Sequence, residues 1–295
     1  MHRIIRSAAA GGEVLRQNAI DSIEYLTFPA LSETDMVGHL FTTRLGGVST
    51  GDCAAMNLSF TRGDDREAVL ENYRRICGVL SVSPEDVAAS VQTHTTNIRH
   101  VTTADRGKGV VRPQDYQDID GLITDEPGVV LACFFADCVP LYFVDPVRRA
   151  IGLAHSGWRG TVDGMGACML QRLAETFGSR PSDCIAAIGP SICRDCYEVS
   201  EDVASQFAVR FEGTEVVTPG REPGKYQLDL WLANKLLLMR AGVPEKQISV
   251  TDICTCHNPD YLFSHRASHG KRGNLAAFLY ILNQEVLGHG KYFSV

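Results

Sequence analysis

The sequence predicts an α+β fold, a layered sandwich built on mixed sheets, in a single domain. Short, continuous apolar runs have the length of buried strands, and longer segments carry apolar residues at helical spacing. The two kinds of segment do not alternate regularly, as they would in a doubly wound fold. The 295 residues suffice for one large buried core.

The helices and strands follow from these patterns in chain order. Residues 64–80 place Val69, Tyr73 and Ile76 on one helical face, with Asp64 or Asp65 as the expected N-cap. Further helices are predicted over residues 161–177, 200–211 and 228–241. The first of these would end at Gly178. Strands are predicted over residues 129–135, 139–144, 150–154, 184–188, 248–253 and 275–281.

Composition and charge exclude several classes of protein. Hydrophobic residues make up 44% and charged residues 21%, which is typical of a folded globular chain. The net charge is −7 and no long Lys/Arg run is present, so we expect no nucleic-acid partner. No stretch reaches the roughly 18 apolar residues of a membrane span, and the first 12 residues lack the apolar core of a signal peptide. We expect a cytoplasmic monomer.

Ten cysteines require an explanation. In a chain without a signal peptide, a disulfide framework is the weaker interpretation, and many of the thiols are expected in the core. The pairs Cys193-x-x-Cys196 and Cys254-x-Cys256 suggest a structural zinc site, but a single CxxC is a weak signal and a CxC a weaker one. The sequence alone therefore predicts no second metal.

A hairpin is predicted to bring Cys138 close to His155. If the turn centres on Pro146 and Val147, Val144 lies opposite Arg149, and counting back places Cys138 opposite His155. Opposed residues have Cβ atoms about 4.5–5.5 Å apart, so a thiolate and an imidazole there can reach one tetrahedral metal ion. Both faces of this hairpin are apolar, which predicts an inner position in its sheet.

Polar residues flank the predicted pair. Asp137 stands beside Cys138, directly after a buried strand, and either bonds local amides or shuttles a proton. Arg159 lies in the loop His155–Gly160 that enters a helix, and a helix N-terminus near an arginine is a natural anion site. His94 follows a probable strand and supplies a third ligand.

Three protein ligands leave a fourth position open, which is the pattern of a catalytic zinc site. The same residues also suit a cysteine hydrolase, in which His155 would activate Cys138 without a metal. Copper is disfavoured, because none of the nine histidines forms the His-x-His pair typical of multicopper oxidation. We expect one Zn²⁺ per chain, and a sandwich of the cysteine-hydrolase-like type.

From about residue 40 to residue 280 the chain resembles the laccase-domain purine nucleoside phosphorylases, formerly described as multicopper polyphenol oxidases. The resemblance is carried by several segments in the same order. They are Thr42-Thr43-Arg44, Gly46-Gly47-Val48-Ser49, Met56-Asn57-Leu58-Ser59, Gln92-Thr93-His94, Asp120-Gly121-Leu122-Ile123-Thr124, the Cys138 and His155 loops, Ile188-Gly189-Pro190-Ser191-Ile192, Cys196-Tyr197-Glu198-Val199, Cys254-Thr255 and Phe263-Ser264-His265-Arg266. The resemblance implies a single catalytic domain over residues 26–295, preceded by an N-terminal extension at residues 1–25.

The resemblance also implies a zinc held by His94, Cys138 and His155, and phosphorolysis of adenosine, inosine, guanosine and 5′-methylthioadenosine. Adenosine deamination would be a second activity. Catalytic roles are expected for Asp137, Cys138 and Arg159. Since guanidinium binds oxyanions bidentately, Arg44, Arg159 and Arg266 are candidate clamps for phosphate or ribose, or else solvated charges and local ion pairs. Asn57, Gln92 and Thr255 are further substrate contacts, unless they only satisfy loop backbone.

Other activities remain open at this stage. Some bacterial relatives edit cell-wall precursors, which would make the substrate a nucleotide-linked amino sugar and the enzyme an amidase. Polyphenol oxidation is a second alternative, and a zinc-stabilised interaction module without activity is a third. The sequence departs from the family at two places: His265 stands where a tyrosine is usual, and Lys271-Arg272-Gly273 where a Gly-Arg pair is usual.

Overall fold

A computed structural model describes residues 1–7 and 12–283 of the chain. The strands within these ranges are β1 Arg16–Ile20, β2 Ile23–Thr27, β3 Val37–Thr42, β4 Val87–Ala89, β5 Ile98–His100, β6 Gly121–Thr124, β7 Val130–Phe135, β8 Val139–Asp145, β9 Ala150–Ser156, β10 Ile185–Ile188, β11 Glu198–Ser200, β12 Val217–Pro219, β13 Lys225–Leu228, β14 Ile248–Val250 and β15 Leu275–Ile281. The α-helices are α1 Pro29–Ser32, α2 Arg66–Leu80, α3 Trp158–Asp163, α4 Met165–Phe177, α5 Glu201–Arg210 and α6 Leu230–Arg240. Among the described residues, no helix is long and apolar enough to cross a bilayer.

Two six-stranded mixed sheets form the centre of the fold. The first has the order β1-β2-β3-β15-β7-β4 and the second β14-β10-β8-β9-β6-β5, while β11, β13 and β12 form a small third sheet. The inner faces of the two large sheets share one core, in which Phe41 and Leu131 of the first pack in the same cluster as Tyr142 and Leu153 of the second. The predicted combination of helices with mixed sheets is confirmed, and the helices lie on the outer faces of the two large sheets.

Helix α2 covers the outer face of the first sheet, while α4, α5 and α6 cover that of the second. The α2 helix begins where predicted, since the Asp65 side chain accepts a hydrogen bond from the backbone N–H of Ala68. Its apolar face is buried, with Tyr73 and Ile76 almost fully enclosed against strands of the first sheet. The helix ends at Leu80, and the next residue, Ser81, adopts a left-handed conformation with φ of 55°.

The prediction of a single helix over residues 161–177 is wrong. The segment contains two helices, because Gly164 has φ of 88° and ends α3 before α4 begins at Met165. A left-handed glycine is a common helix terminator. The short α3 starts at Trp158, separated by one residue from the end of the β9 strand that carries His155.

The predicted hairpin exists, but its register differs by two residues. Val144 pairs with Ile151 and Pro140 with His155, so Cys138 does not lie opposite His155 within the ladder. The connection is a four-residue loop over 146–149 that Asp145 closes by accepting hydrogen bonds from the backbone N–H groups of Val147 and Arg148. Arg149 takes a left-handed conformation with φ of 53°, which a sequence-based turn assignment missed.

An even register error leaves the predicted faces intact, because side chains alternate with a period of two. Tyr142 and Leu153 face the core between the sheets, and Leu141 and Ala154 face the helices. Strands β8 and β9 are both inner strands, as predicted.

The cysteine-hydrolase-like type of the sandwich stays a prediction. The boundary between an extension at residues 1–25 and a domain at residues 26–295 also stays a prediction. The β1–β2 hairpin spans that boundary and joins the first sheet through pairing of β2 with β3. Residues 284–295, which the predicted domain includes, lie outside the described residues.

Candidate active site

Three side chains converge where the start of β8 and the end of β9 meet the loop after β4. His94 lies in the loop after β4, Cys138 in the turn between β7 and β8, and His155 near the end of β9. Their ligand atoms all lie within 4.8 Å of one another, and the two imidazole rings meet edge to face at 4.9 Å. His155 is buried and Cys138 half-buried, whereas His94 is exposed. The group can therefore hold a metal ion that is reached from the His94 side.

The buried carboxylate of Asp120 organises two of these three ligands. It accepts hydrogen bonds from the backbone N–H groups of Thr93, His94 and Thr95, at 2.9 to 3.1 Å. It also lies 2.7 Å from Nδ1 of His155. An Nδ1–H bonded to a carboxylate fixes the tautomer and leaves Nε2 of His155 as the nitrogen available to a metal.

Two site residues have unusual backbone conformations. His94 has φ of 66° and Asp137 has φ of 87°, both in the left-handed region. Such conformations are uncommon for residues other than glycine, and they cost of order 1 kcal/mol or more when the surroundings impose them. The hydrogen bonds from the loop of His94 to Asp120 supply that constraint. The strain therefore falls on one ligand, His94, and on the neighbour of another, Cys138.

Gly157 leaves the space that the ligand group occupies. A Cβ atom at this position would lie 3.0 Å from Cδ2 of His94 and 3.1 Å from Sγ of Cys138. Both contacts are tighter than a normal van der Waals separation. The glycine is needed here for close approach rather than for backbone freedom, since its φ is an ordinary −71°.

The electrostatics of the group favour the thiolate of Cys138. Burial raises the pKa of this thiol, but the neighbouring His155 and His94 outweigh burial and lower the pKa to about 6. Burial lowers the pKa of His155, and the opposing effects of Cys138 and Asp120 raise it to about 9. The thiolate is the form that binds a metal or acts as a nucleophile.

Asp137 is fixed against the wall of the site. One carboxylate oxygen accepts a hydrogen bond from the Thr255 hydroxyl at 2.6 Å, and the other accepts the backbone N–H of Arg266 at 2.7 Å. The backbone carbonyl of Asp137 accepts the N–H of Ile192 at 3.0 Å. These bonds place the acid beside Cys138 and connect it to two distant loops.

The three predicted arginines differ in what their guanidinium groups contact. Arg44 donates to the carbonyls of Ala54 and Pro259, and Arg266 donates to those of Cys196 and Glu198. Arg159 is exposed, stacks 4.3 Å from the Trp158 ring centroid, and makes no side-chain hydrogen bond within the described part of the chain. Of the three arginines, only Arg159 has its donors fully available to an anion.

The three predicted polar contacts are bonded within the protein. Asn57 bonds Ser59 and Asp64 and accepts the N–H of Asn274. Gln92 exchanges two hydrogen bonds with the backbone of Phe134, and Thr255 donates to Asp137. These contacts hold loops around the site, and a substrate role for the three residues stays a prediction.

Residues to which the sequence interpretation gave no role also approach the site. Arg272 is half-buried, and its Nε has no hydrogen-bond partner in the described structure. Burial and the nearby Arg62 lower its pKa to about 10, while Asp137 and Cys138 act in the opposite direction. Arg62 donates a hydrogen bond to the carbonyl of Arg272, so the two arginines form a positive pair, of which Arg272 interacts electrostatically with Cys138. His265, the other departure from the family pattern, is exposed.

The chain is similar to known proteins over most of its length. The profile of a family described as multi-copper polyphenol oxidoreductase laccase matches residues 38–282. The purine nucleoside phosphorylase YlmD of Geobacillus stearothermophilus is 42% identical over 244 residues, which cover 81% of this chain and 88% of that protein.

Solved structures agree with the sequence comparison. The crystal structure of YlmD from Geobacillus stearothermophilus covers 92% of this chain and 100% of its own, with a TM-score of 0.84 and 37% identity. The hypothetical protein YfiH of Bacillus licheniformis covers 91% of this chain and 99% of its own, with a TM-score of 0.84 and 34% identity. The chain therefore belongs to the laccase-domain family, whose curated relatives include purine nucleoside phosphorylases.

Proposed function

We propose that the protein is a zinc-dependent purine nucleoside phosphorylase. The observation that carries the proposal is the three-ligand group of His94, Cys138 and His155, which opens to solvent on the His94 side. The relatives named purine nucleoside phosphorylase support the reaction class. The proposed substrates are phosphate with adenosine, inosine, guanosine or 5′-methylthioadenosine.

The donor set suits zinc better than copper. One thiolate and two imidazoles leave a single open position, as in catalytic zinc sites. Blue-copper sites also use two histidines and a cysteine, but they add a weak axial ligand such as methionine. Multicopper chemistry needs further histidines, and within the described residues no histidine other than His94 and His155 joins this group. The hydrogen bond from His155 to Asp120 is the outer contact that histidine ligands of zinc usually make.

In phosphorolysis, an oxygen of hydrogen phosphate bonds to C1′ of the ribose, the C1′–N9 bond breaks, and the proton that the phosphate gives up ends on the leaving purine. The proposal assigns phosphate to Arg159, which is exposed, follows His155 by four positions and makes no side-chain hydrogen bond within the described residues. Arg62, in the loop before α2, and Arg272, in the loop before β15, would add positive charge. Arg44 and Arg266 would act by holding the loops that their donors already contact.

Deamination of adenosine is proposed as a side activity of the same site. Zinc, when bound, supplies a Lewis acid that activates water, which is the chemistry that deamination requires. Asp137 stands next to Cys138, and Thr255 and Arg266 hold its carboxylate in place, so it is our candidate to move the proton. The open side at His94 would admit the base.

The test combines metal analysis with a product assay. The purified protein is analysed by mass spectrometry for zinc and copper, while chromatography follows adenosine and inosine with and without phosphate. The proposal expects zinc, with release of free base only when phosphate is present. Cys138→Ala should lose one zinc equivalent and the activity, whereas Cys168→Ala on α4 should keep both.

Other outcomes would redirect the assignment. Full zinc content in Cys138→Ala would refute the ligand set. Zinc without nucleoside turnover would overturn the phosphorylase proposal, and cell-wall precursors would be the next substrates to assay. A metal-free protein with a reactive Cys138 would favour a cysteine hydrolase, and copper with polyphenol turnover would favour a laccase-like oxidase.

A further inference from the structure

A second group of metal-ligating side chains lies outside the active site. Cys193, Cys196, Cys254 and His257 place one ligand atom each so that all four atoms lie within 4.8 Å of one another. Cys193 is 9% exposed and Cys254 3%, while Cys196 is half-buried and His257 lies at the surface. In the described structure the three thiols are all free of disulfides. The group is therefore a compact set of four donors that no role described so far explains.

The first half of the group is built by a tight turn between β10 and β11. Cys193 precedes a single 3₁₀ turn over Arg194–Cys196, and its carbonyl accepts the N–H groups of Cys196 and Tyr197 at 3.1 and 3.0 Å. This turn brings the two sulfur atoms of a Cys-x-x-Cys pair to the same side. The N–H of Cys193 also points at Sγ of Cys254, at 3.3 Å. A backbone donor on a sulfur atom stabilises the thiolate form.

The second half comes from the loop after β14. Cys254 is placed by a parallel bridge to Ser191, the residue two positions before Cys193. The Asn258 side chain donates to the Cys254 carbonyl at 2.8 Å, and the Asn258 N–H donates to the carbonyl of Thr255, so the chain turns back on itself. The turn sets Nδ1 of His257 3.7 Å from Sγ of Cys193.

We propose that these four residues form a structural zinc site of the Cys₃His type. In a tetrahedral site with Zn–S of about 2.3 Å and Zn–N of about 2.0 Å, neighbouring ligand atoms lie roughly 3.5–3.8 Å apart. The Cys193–His257 distance of 3.7 Å lies in this range. Four protein ligands leave no open position, which distinguishes this site from the three-ligand group and assigns it a structural role.

The site would brace the active-site wall. Thr255 lies between the two ligands of the second loop, and its hydroxyl holds the carboxylate of Asp137. Ile192, next to Cys193, donates its N–H to the Asp137 carbonyl. The carbonyl of Cys196 accepts a hydrogen bond from the Arg266 guanidinium. A metal that joins the two loops would therefore fix Asp137 and Arg266 without touching the substrate.

The sequence predicts one zinc per chain, because neither cysteine pair is a strong motif alone. The structure shows why the pairs mislead. The fourth ligand atom comes from His257 rather than from Cys256, so the second half is Cys-x-x-His and not Cys-x-Cys. The two halves are also far apart in the chain, since Cys193 and Cys254 are separated by 61 positions. That separation is much longer than the regular spacings that mark zinc sites in a sequence.

The experiment counts zinc in protein purified under reducing conditions. The wild type should contain two equivalents, and Cys138→Ala one. His257→Ala and Cys254→Ser should each lose the other equivalent, and the double variant Cys138→Ala/Cys254→Ser should contain none. Cys168→Ser, a half-buried thiol on α4, is the matched control and should keep two. Cobalt substitution of Cys138→Ala should give the charge-transfer absorption of three thiolates, about threefold that of Cys254→Ser, whose remaining site has one.

Two results would overturn the proposal. One is a Cys138→Ala protein that folds, has reduced thiols and holds no zinc. The other is a disulfide among Cys193, Cys196 and Cys254 in the active protein, found by mass spectrometry without reduction. If Cys254→Ser fails to fold, the surface variant His257→Ala and the metal content of Cys138→Ala still show whether the second zinc is present. The number of zinc equivalents is measured independently of turnover, so the absence of a second zinc is distinct from failure of the phosphorylase proposal.

Discussion

The carboxylate of Asp120 lies 2.7 Å from Nδ1 of His155, and the same carboxylate binds the backbone of the loop that carries His94. One buried acid thus sets the tautomer of one ligand and the position of another. Outer contacts of this kind typically change metal affinity by about 10- to 100-fold when they are removed. In the proposed zinc site, Asp120 would therefore act without touching metal or substrate.

We expect Asp120→Asn to weaken zinc binding at the three-ligand group by at least about tenfold. An asparagine side chain has only one acceptor oxygen, so it cannot accept from His155 and from the N–H groups of both Thr93 and Thr95 without turning its amide toward a donor. Competition with a chromophoric chelator measures the affinity. Activity should fall in parallel and recover in part with excess zinc.

The control for this substitution is Asp125→Asn, just beyond the end of β6, the same strand that Asp120 precedes. Its side chain is 47% exposed and contacts His100 only at 3.9 Å. That variant should bind zinc like the wild type. Unchanged affinity in a correctly folded Asp120→Asn protein would contradict the positioning role.

Gly157→Ala should also weaken zinc binding, for a steric reason. The added Cβ would press on His94 and Cys138 at 3.0 and 3.1 Å, so one of the two ligands must move. Gly160→Ala is a matched control in α3, because a Cβ there meets no atom closer than 3.7 Å. Zinc titration of both variants distinguishes them, and equal affinities would show that the loop relaxes without cost.

The sequence predicted what depends on local pattern and missed what depends on distant partners. The strand over residues 275–281 is found with the predicted bounds, and α2 has its predicted cap. The β8–β9 faces are correct because an apolar pattern of period two tolerates a shift by two residues. The predicted β8–β9 register is wrong because the observed register depends on the left-handed conformation of Arg149, which no feature of the sequence indicated.

The supporting residues of the site lay beyond local pattern. Asp120 was noticed as part of a motif, but its bond to His155 requires β6 to pair with β9. Its bonds to a loop 25 to 27 residues away require the bridge between Val91 and Ile119. A buried acid before an apolar strand is the signal that could have marked it. Arg272 was noticed only as a departure from the family, and its approach to Cys138 depends on how β15 enters the first sheet.

Arg159→Gln tests the proposed phosphate contact. If this guanidinium binds phosphate, its loss should raise KM for phosphate by about 10-fold or more, since one charge-assisted hydrogen bond contributes about 1.5–3 kcal/mol. KM for the nucleoside should change much less. Arg172→Gln, on the exposed side of α4, is the control. An unchanged KM for phosphate would move the anion site to Arg272 and Arg62.

The buried side chain of His39 makes the free energy of unfolding depend on pH, and this effect is separate from catalysis. The ring is buried between Phe28 and Tyr142, and its Nε2 accepts the backbone N–H of Phe28 at 2.8 Å. Burial lowers the pKa of His39 from 6.5 to about 4, and protonation of Nε2 would also break the hydrogen bond that it accepts from Phe28. The folded protein therefore holds this side chain neutral at pH values where the unfolded chain protonates it.

Because the unfolded state binds the extra proton, the free energy of unfolding should fall as the pH drops from about 6.5 to about 4, and this residue's share of the loss is about 3 kcal/mol. His39→Gln keeps an acceptor for the Phe28 N–H but cannot titrate, so its stability should fall less over the same interval. Urea unfolding at a series of pH values between neutral and about 4 measures the difference. Above neutral pH the two proteins should differ by a constant amount. Parallel curves on the acid side would show that another group, not His39, controls the acid sensitivity.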